Sequence, residues 1–277
     1  MRHREKAPHN GAFFSFKPPL LIILTTMDTV IITLASALAG FIDASVGGGG
    51  LVLVPALFAT YPNVAPATLL GTNKSASVWG TLFAAWRYQK QIPLQWSALR
   101  VGAVCALLGA CAGAYTLTLV SPQLLRQAMP LLLLAVLVYT LKNKQLGQLH
   151  QPRFEGRAQR GAMGVCGAVM GFYDGFFGPG TGSLLVFVLV RALGFDFLQA
   201  SAHSKVLNLV SNLAALLWLG WQGHVLWAIC LPMALANMAG SWLGTRMALG
   251  QGSGYVRGLF IVVVAALLAK TAHDALL

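Results

Sequence analysis

Two lysines, Lys74 and Lys205, stand inside long apolar stretches of this 277-residue chain. A cation at the middle of a bilayer costs about 2.5–3.5 kcal/mol or more unless it faces a partner or a wet cavity. Both have polar company: Thr72, Asn73, Ser75 and Ser77 around the first, and His203, Ser204, Asn208, Ser211 and Asn212 around the second. At helical spacing Lys205, Asn208 and Asn212 share one face, as do Asn73, Ser77 and Thr81. The available counter-charges are Asp43 and Asp174. One outcome is a set of buried Asp–Lys pairs that only fix helix packing. The other is that these pairs border a central cavity whose free donors bind an anion.

Glycines follow each aspartate: Gly47, Gly48, Gly49 and Gly50 in one case, and Gly178, Gly180 and Gly182, with Pro179 and Thr181 between them, in the other. Residues without side chains let backbone N–H groups converge. A short apolar run begins just after each stretch, and the positive end of such a helix suits a negatively charged guest. The expected anion contacts are therefore Lys74, Lys205, Asn73, Thr72, Ser77, His203, Ser204, Asn208, Gly47, Gly48, Gly49, Gly50, Gly178, Gly180, Thr181 and Gly182. Asp43, Asp174 and His203 form a second group, for ion pairing or proton relay, since a His beside carboxylates titrates near neutrality. The bland alternative for His203 is a satisfied polar residue. Tyr173 and Phe172 read as packing or gate residues.

Other chemistry finds little support. H-E-x-x-H and G-x-x-x-x-G-K-[ST] are absent, and the closest approach to a rhomboid-like G-x-S-G, Gln251-Gly252-Ser253-Gly254, lacks its first glycine. Cys105, Cys111, Cys166 and Cys230 lie in apolar stretches without C-x-x-C spacing and read as small core residues. No metal and no cofactor is expected, and the chain reads as no enzyme.

The elements that must position these residues follow from composition. Apolar residues make up 57% of the chain, charged ones 9%, and mean hydropathy is +0.70. Soluble domains carry about 25% charged residues, so a soluble fold and intrinsic disorder are both excluded. The formal charge of +12 reads as basic loops that orient a membrane protein, with no nucleic-acid partner. Eight long apolar segments, near 20–42, 65–86, 94–120, 124–141, 160–177, 197–220, 225–249 and 254–270, are candidate spans. Two runs, 51–60 and 183–193, are about half a bilayer long and read as re-entrant or broken helices. With eight spans and the N-terminus inside, 12 of the 19 basic residues fall inside, 4 outside (Arg126, Arg191, Arg246, Arg257) and 3 within spans (Lys74, Arg100, Lys205). Ten spans give a poorer split in either orientation. The expected fold is thus an all-α polytopic membrane helix bundle, both termini cytoplasmic, with about eight spanning helices plus two short broken or re-entrant ones.

The chain also matches itself. Shifted by 131 residues, Leu34–Gly113 aligns without gaps on Val165–Gly244. Rare types recur in register: Asp43 with Asp174, Lys74 with Lys205, Trp96 with Trp227, and the G-x-x-x-G pair Gly109/Gly113 with Gly240/Gly244. An internal duplication follows. Residues 1–26 read as a cytoplasmic leader, 27–142 as the first membrane repeat, 143–159 as a cytoplasmic linker and 160–277 as the second repeat. Met27 is a second candidate start. Four crossings per half make the repeats parallel, and the G-x-x-x-G pairs are expected to be structural, letting backbones approach closely.

The runs Ala39–Leu51, Gly71–Lys74, Gly171–Pro179 and Ala202–Lys205 resemble the TauE/SafE family of sulfite and organosulfonate exporters, also called the 4-toluene sulfonate uptake permease family, and most of all its YfcA-type branch of membrane transporters. The resemblance covers nearly all of Leu34–Asp274. It implies a bacterial inner-membrane secondary transporter for a small anion: sulfite, a sulfonate, or another sulfur-containing or organic anion. It carries over no residue-level mechanism, and Gly48 against Pro179 and Asn73 against Ser204 make two equivalent anion sites doubtful. A passive anion channel and an intramembrane enzyme are the alternatives from other classes. Expected partners are a small anionic solute and the lipid bilayer. Substrate, direction, coupling ion and oligomeric state, a homo-oligomer included, stay open.

Overall fold

The computed structural model describes residues 26–128, 131, 135 and 152–276, with side chains from 27 onward and up to 251. Every regular element among them is a helix. In chain order these are α1 (Thr26–Val46), α2 (Gly50–Thr60), α3 (Pro66–Gln89), α4 (Trp96–Leu119), α5 (Gly156–Phe176), α6 (Thr181–Val188) with a π-helical turn at Leu189–Leu193, α7 (Phe197–Trp221) and α8 (Trp227–Leu276). The expected leader, most of the fourth segment and most of the linker lie outside the described residues.

Local chemistry sets several boundaries. Pro66 occupies the first turn of α3, where a missing N–H costs nothing. The Asp196 carboxylate caps α7, accepting from Leu198 N and Gln199 N at 2.8 Å each. α4 and α8 both open on a tryptophan, Trp96 and Trp227, half-exposed as interfacial aromatics are. The start of each helix from α5 to α8 falls within one residue of 131 positions after its counterpart among α1 to α4, wherever both starts are described.

One boundary differs from expectation. Segments 225–249 and 254–270 read as separate spans, yet α8 runs unbroken from Trp227 to Leu276. Gly250, Gly252 and Gly254 each cost a helix only about 1 kcal/mol relative to Ala, and no proline lies among them to force a break.

Packing crosses between the halves. α1 lies along α8 and α4 along α5, in both cases through the G-x-x-x-G faces. A Cβ on Gly109 or Gly113 would strike the carbonyls of Ala168 and Phe172 on α5; one on Gly240 or Gly244 would strike those of Ala37 and Phe41 on α1. α3 and α7 lie against each other, α3 packing on the α1–α8 pair and α7 on the α4–α5 pair.

The distribution of polarity is inverted relative to a soluble domain. Thr72, Asn73, Lys74, Ser75 and Thr81 of α3 are buried, as are Ser201, His203, Ser204, Lys205, Asn208, Ser211 and Asn212 of α7. Leu34, Leu38, Val104, Leu108, Leu119, Leu217, Leu231 and Leu235 face outward. Among the described residues, two helices, α1 from Met27 and α4, are long and apolar enough throughout to cross a bilayer. α3 and α7 fall short of that standard because their inner faces carry the polar residues of the site.

Candidate functional site

α1 and α5 each end on a glycine break. At Gly47 the chain turns into the left-handed region (φ +80°) while its N–H still reaches the Asp43 carbonyl at 2.9 Å. Gly178 does the same after α5 (φ +91°), its N–H bonding the Tyr173 carbonyl at 3.2 Å. Only glycine adopts this backbone without strain. The two breaks meet at the centre of the molecule. A Cβ on Gly47 would strike the backbone of Gly182 and Ser183, and one on Gly50 would lie 3.1 Å from the Pro179 Cα.

Beyond the breaks begin α2 and α6, and their first N–H groups are under-used. Leu51 N bonds to Gly48 O and Thr181 N to Gly178 O, but the N–H groups of Gly48, Gly50, Gly180 and Gly182 have no backbone acceptor among the described residues. Free N–H groups at a helix start carry its partial positive charge. Other polar groups hold the breaks in shape: Tyr173 Oη donates to Pro179 O (2.6 Å), Thr181 Oγ1 to Gly178 O (2.7 Å) and Ser183 Oγ to Gly180 O (2.9 Å).

Both lysines are paired, and across the halves. Lys74 Nζ donates to Asp174 Oδ1 at 2.6 Å, and both side chains are 2% exposed or less. Lys205 Nζ donates to the Asp43 backbone carbonyl and stands 3.7 Å from Asp43 Oδ2. Each ammonium thus sits where the first helix of the other half ends, against the partial negative charge of its last carbonyls. Lys74 and Lys205 lie 8 residues after the first residue of α3 and α7 respectively, about 12 Å along each axis at 1.5 Å per residue. That distance is close to half the thickness of a 30 Å hydrocarbon layer.

A hollow remains between the breaks. It is lined by Asp43, Gly48, Gly50, Asn73, Lys74, Ser77, Gly178, Gly180, Thr181, Gly182, Asn208 and Asn212. Its size is about 20 Å³, measured as space for the centre of a water-sized sphere, which is room for about one water. Among the described residues, buried Asn73 Oδ1 has no hydrogen-bond partner, and neither has Asp174 Oδ2 just behind the wall. Asn212 Nδ2 donates to Asn208 Oδ1 at 3.2 Å.

Of the expected anion contacts, Lys74, Asn73, Ser77, Asn208, Gly48, Gly50, Gly178, Gly180, Thr181 and Gly182 line this hollow. Lys205, Thr72, His203, Ser204, Gly47 and Gly49 do not. Thr72 Oγ1 donates to Thr68 O and accepts from Leu226 N, tying α3 to the start of α8. Ser204 Oγ turns back onto Ser201 O. His203 faces away from the hollow: its Nε2 accepts from Gln95 N (3.0 Å) and its Nδ1 donates to Gln199 O (2.8 Å), beside the Phe195 ring. A ring so engaged at both nitrogens is a clamp on the loop before α4. Asp43 and Asn212 line the hollow although neither was among the expected anion contacts. The one-turn spacing of Asn212 after Asn208 was the available signal.

A sequence profile of the family described as "Sulfite exporter TauE/SafE" matches residues 32–271. The "Probable membrane transporter protein YfcA" of Escherichia coli (strain K12) is 33% identical over 259 residues, covering 92% of this chain and 93% of the relative. A "Probable membrane transporter protein" of Haemophilus influenzae is 34% identical over 240 residues, covering 85% and 91%. "Probable membrane transporter protein ORF9" of Sinorhizobium sp is 33% identical over 241 residues, covering 87% and 90%. No solved structure matches.

Proposed function

Because the chain belongs to the TauE/SafE family of membrane transporters, we propose that it is a secondary carrier for a small oxyanion, sulfite or an organosulfonate being the leading candidates. Its binding site is the hollow between the two glycine breaks. The observation that carries this reading is that four residues whose N–H groups lack a backbone acceptor among the described residues, Gly48, Gly50, Gly180 and Gly182, line one hollow together with Lys74. Donors at helix starts recognise oxyanions without needing an unpaired lysine. In the low dielectric of the membrane interior the same contacts are stronger than in water.

A hollow with room for one water is smaller than any such anion, so the guest must part the breaks to enter. That requirement favours a carrier, which rearranges at each cycle, over an open pore. The breaks belong to opposite halves, so rocking one half against the other would open the hollow to one side at a time. The halves are the two repeats, 27–142 and 160–277, joined by a cytoplasmic linker. The protein resides in a bacterial inner membrane with its N-terminus and linker cytoplasmic, as its split of basic residues supports.

Purified protein in liposomes tests the reading. Uptake of sulfite or methanesulfonate should saturate and show counterflow, and Asn73→Leu with Ser77→Val should raise the half-saturating concentration at least tenfold. Linear uptake without counterflow would replace the carrier by a channel. Unchanged affinity in the double variant would move the site elsewhere.

A further inference from the structure

The centre of the molecule is charge-balanced before any anion arrives. Lys74 is matched by Asp174 and Lys205 by Asp43. The helix ends balance too: α1 and α5 finish there with their negative ends, and α2 and α6 begin there with their positive ends. A monovalent anion entering this hollow would leave one uncompensated negative charge near mid-membrane, where charge is most costly.

The two carboxylates are not equally able to relieve it. Asp174 is 1% exposed and held at 2.6 Å by Lys74, outside the lining. Asp43 lines the hollow, its side chain is 16% exposed, and Lys205 stands off at 3.7 Å because that ammonium is committed to the Asp43 backbone carbonyl. Resting on the carrier reading, we infer that Asp43 takes up one proton for each monovalent anion that enters, so that anion and proton cross together. The proton goes onto a carboxylate oxygen of Asp43; Lys205 then serves as the counter-charge of the anion, and the total returns to zero.

The surroundings of Asp43 fit this use. Lys205 faces it from α7, and α3 brings Lys74 across the hollow and the Tyr88 phenol, which donates to the neighbouring Ala44 carbonyl at 3.0 Å. Gly49 and Gly182 touch it from the breaks, without charge, and α8 meets this end of α1 through Gly244, against Phe41 and Ser45.

The test uses proteoliposomes of the full chain and methanesulfonate, the anion of a strong acid with no proton of its own to release near neutral pH. Wild-type uptake should carry one proton per anion, read with a pH dye, and should move no net charge. Apparent affinity should fall about tenfold per pH unit on the alkaline side, the slope required by uptake of one proton on binding. Asp43→Asn should flatten that slope and make uptake electrogenic. Wild-type uptake without protons, or Asp43→Asn that still moves them, overturns the coupling and leaves the carrier intact. Absence of saturable uptake of both methanesulfonate and sulfite overturns the carrier reading and the coupling with it. The wild-type stoichiometry decides the matter even if Asp43→Asn does not fold.

Discussion

Removing the Lys74 ammonium by Lys74→Met separates packing from transport. The amine and Asp174 Oδ1 are 2.6 Å apart, and neither side chain is more than 2% exposed. Bulk solvent therefore does not reach the pair, and Asp174 Oδ2 already lacks a hydrogen bond among the described residues. Breaking a buried pair from one side costs about 3–5 kcal/mol, because an uncompensated charge is left behind. At about 2–4 °C per kcal/mol, apparent melting in detergent should drop by roughly 6–20 °C. Replacing both partners by apolar groups of similar size, Lys74→Met with Asp174→Leu, should recover nearly all of that loss, since a buried pair is close to neutral against a hydrophobic substitute. Flux of sulfite or methanesulfonate should nevertheless stay at least tenfold below wild type in the recovered protein. Melting and flux would be measured on the same preparations of wild type, both singles and the double. A single variant that loses less than about 1 kcal/mol would refute the pair. A stable double variant that transports at the wild-type rate would refute the anion site, leaving the pair as a packing device alone.

Three further outcomes follow from the geometry. Gly113→Ala and Gly240→Ala should each destabilise by about 1–3 kcal/mol, because the new methyl meets a backbone carbonyl of the neighbouring helix, whereas Gly161→Ala, with nothing within 4 Å, should gain up to about 1 kcal/mol; equal thermal shifts at all three would contradict the close helix contacts. Gly47→Ala should cost at least about 1–2 kcal/mol and abolish counterflow, since its φ of +80° disfavours any side chain and the methyl collides with Gly182; full activity there would remove the break from the transport cycle. His203→Gln should lower thermal stability while leaving the pH dependence of flux in place, because both ring nitrogens are spent on the backbone at Gln95 and Gln199; a lost pH dependence would restore His203 as a proton relay.

Much of this was legible in the residues themselves. The ends of α3, α4 and α7 follow from where apolar runs give way to proline, tryptophan and charge, and a glycine run stops α1. These are local effects of backbone freedom and hydration, so the order of residue types suffices to place them. The same logic overreached near Gly250, where glycines weaken a helix without ending it, and α8 continues. Lys74 and Lys205 announced themselves because charge is rare and costly in such surroundings.

The chain order, by contrast, says only that two lysines need two carboxylates. Which lysine takes which aspartate depends on α1 lying along α8 and α4 along α5, and that depends on where small glycine faces find complementary backbones. His203 and Asp43 show the same limit in opposite directions. His203 stands two positions from Lys205, which on a helix turns it to another face, and the loop at Gln95 holds it there as a structural clamp, while Asp43 gains a place in the hollow through a break from the other half. Spacing along one helix is a property of the local chain. Contact between segments 100 residues apart, like Lys74 with Asp174, is settled only when their surfaces close on each other.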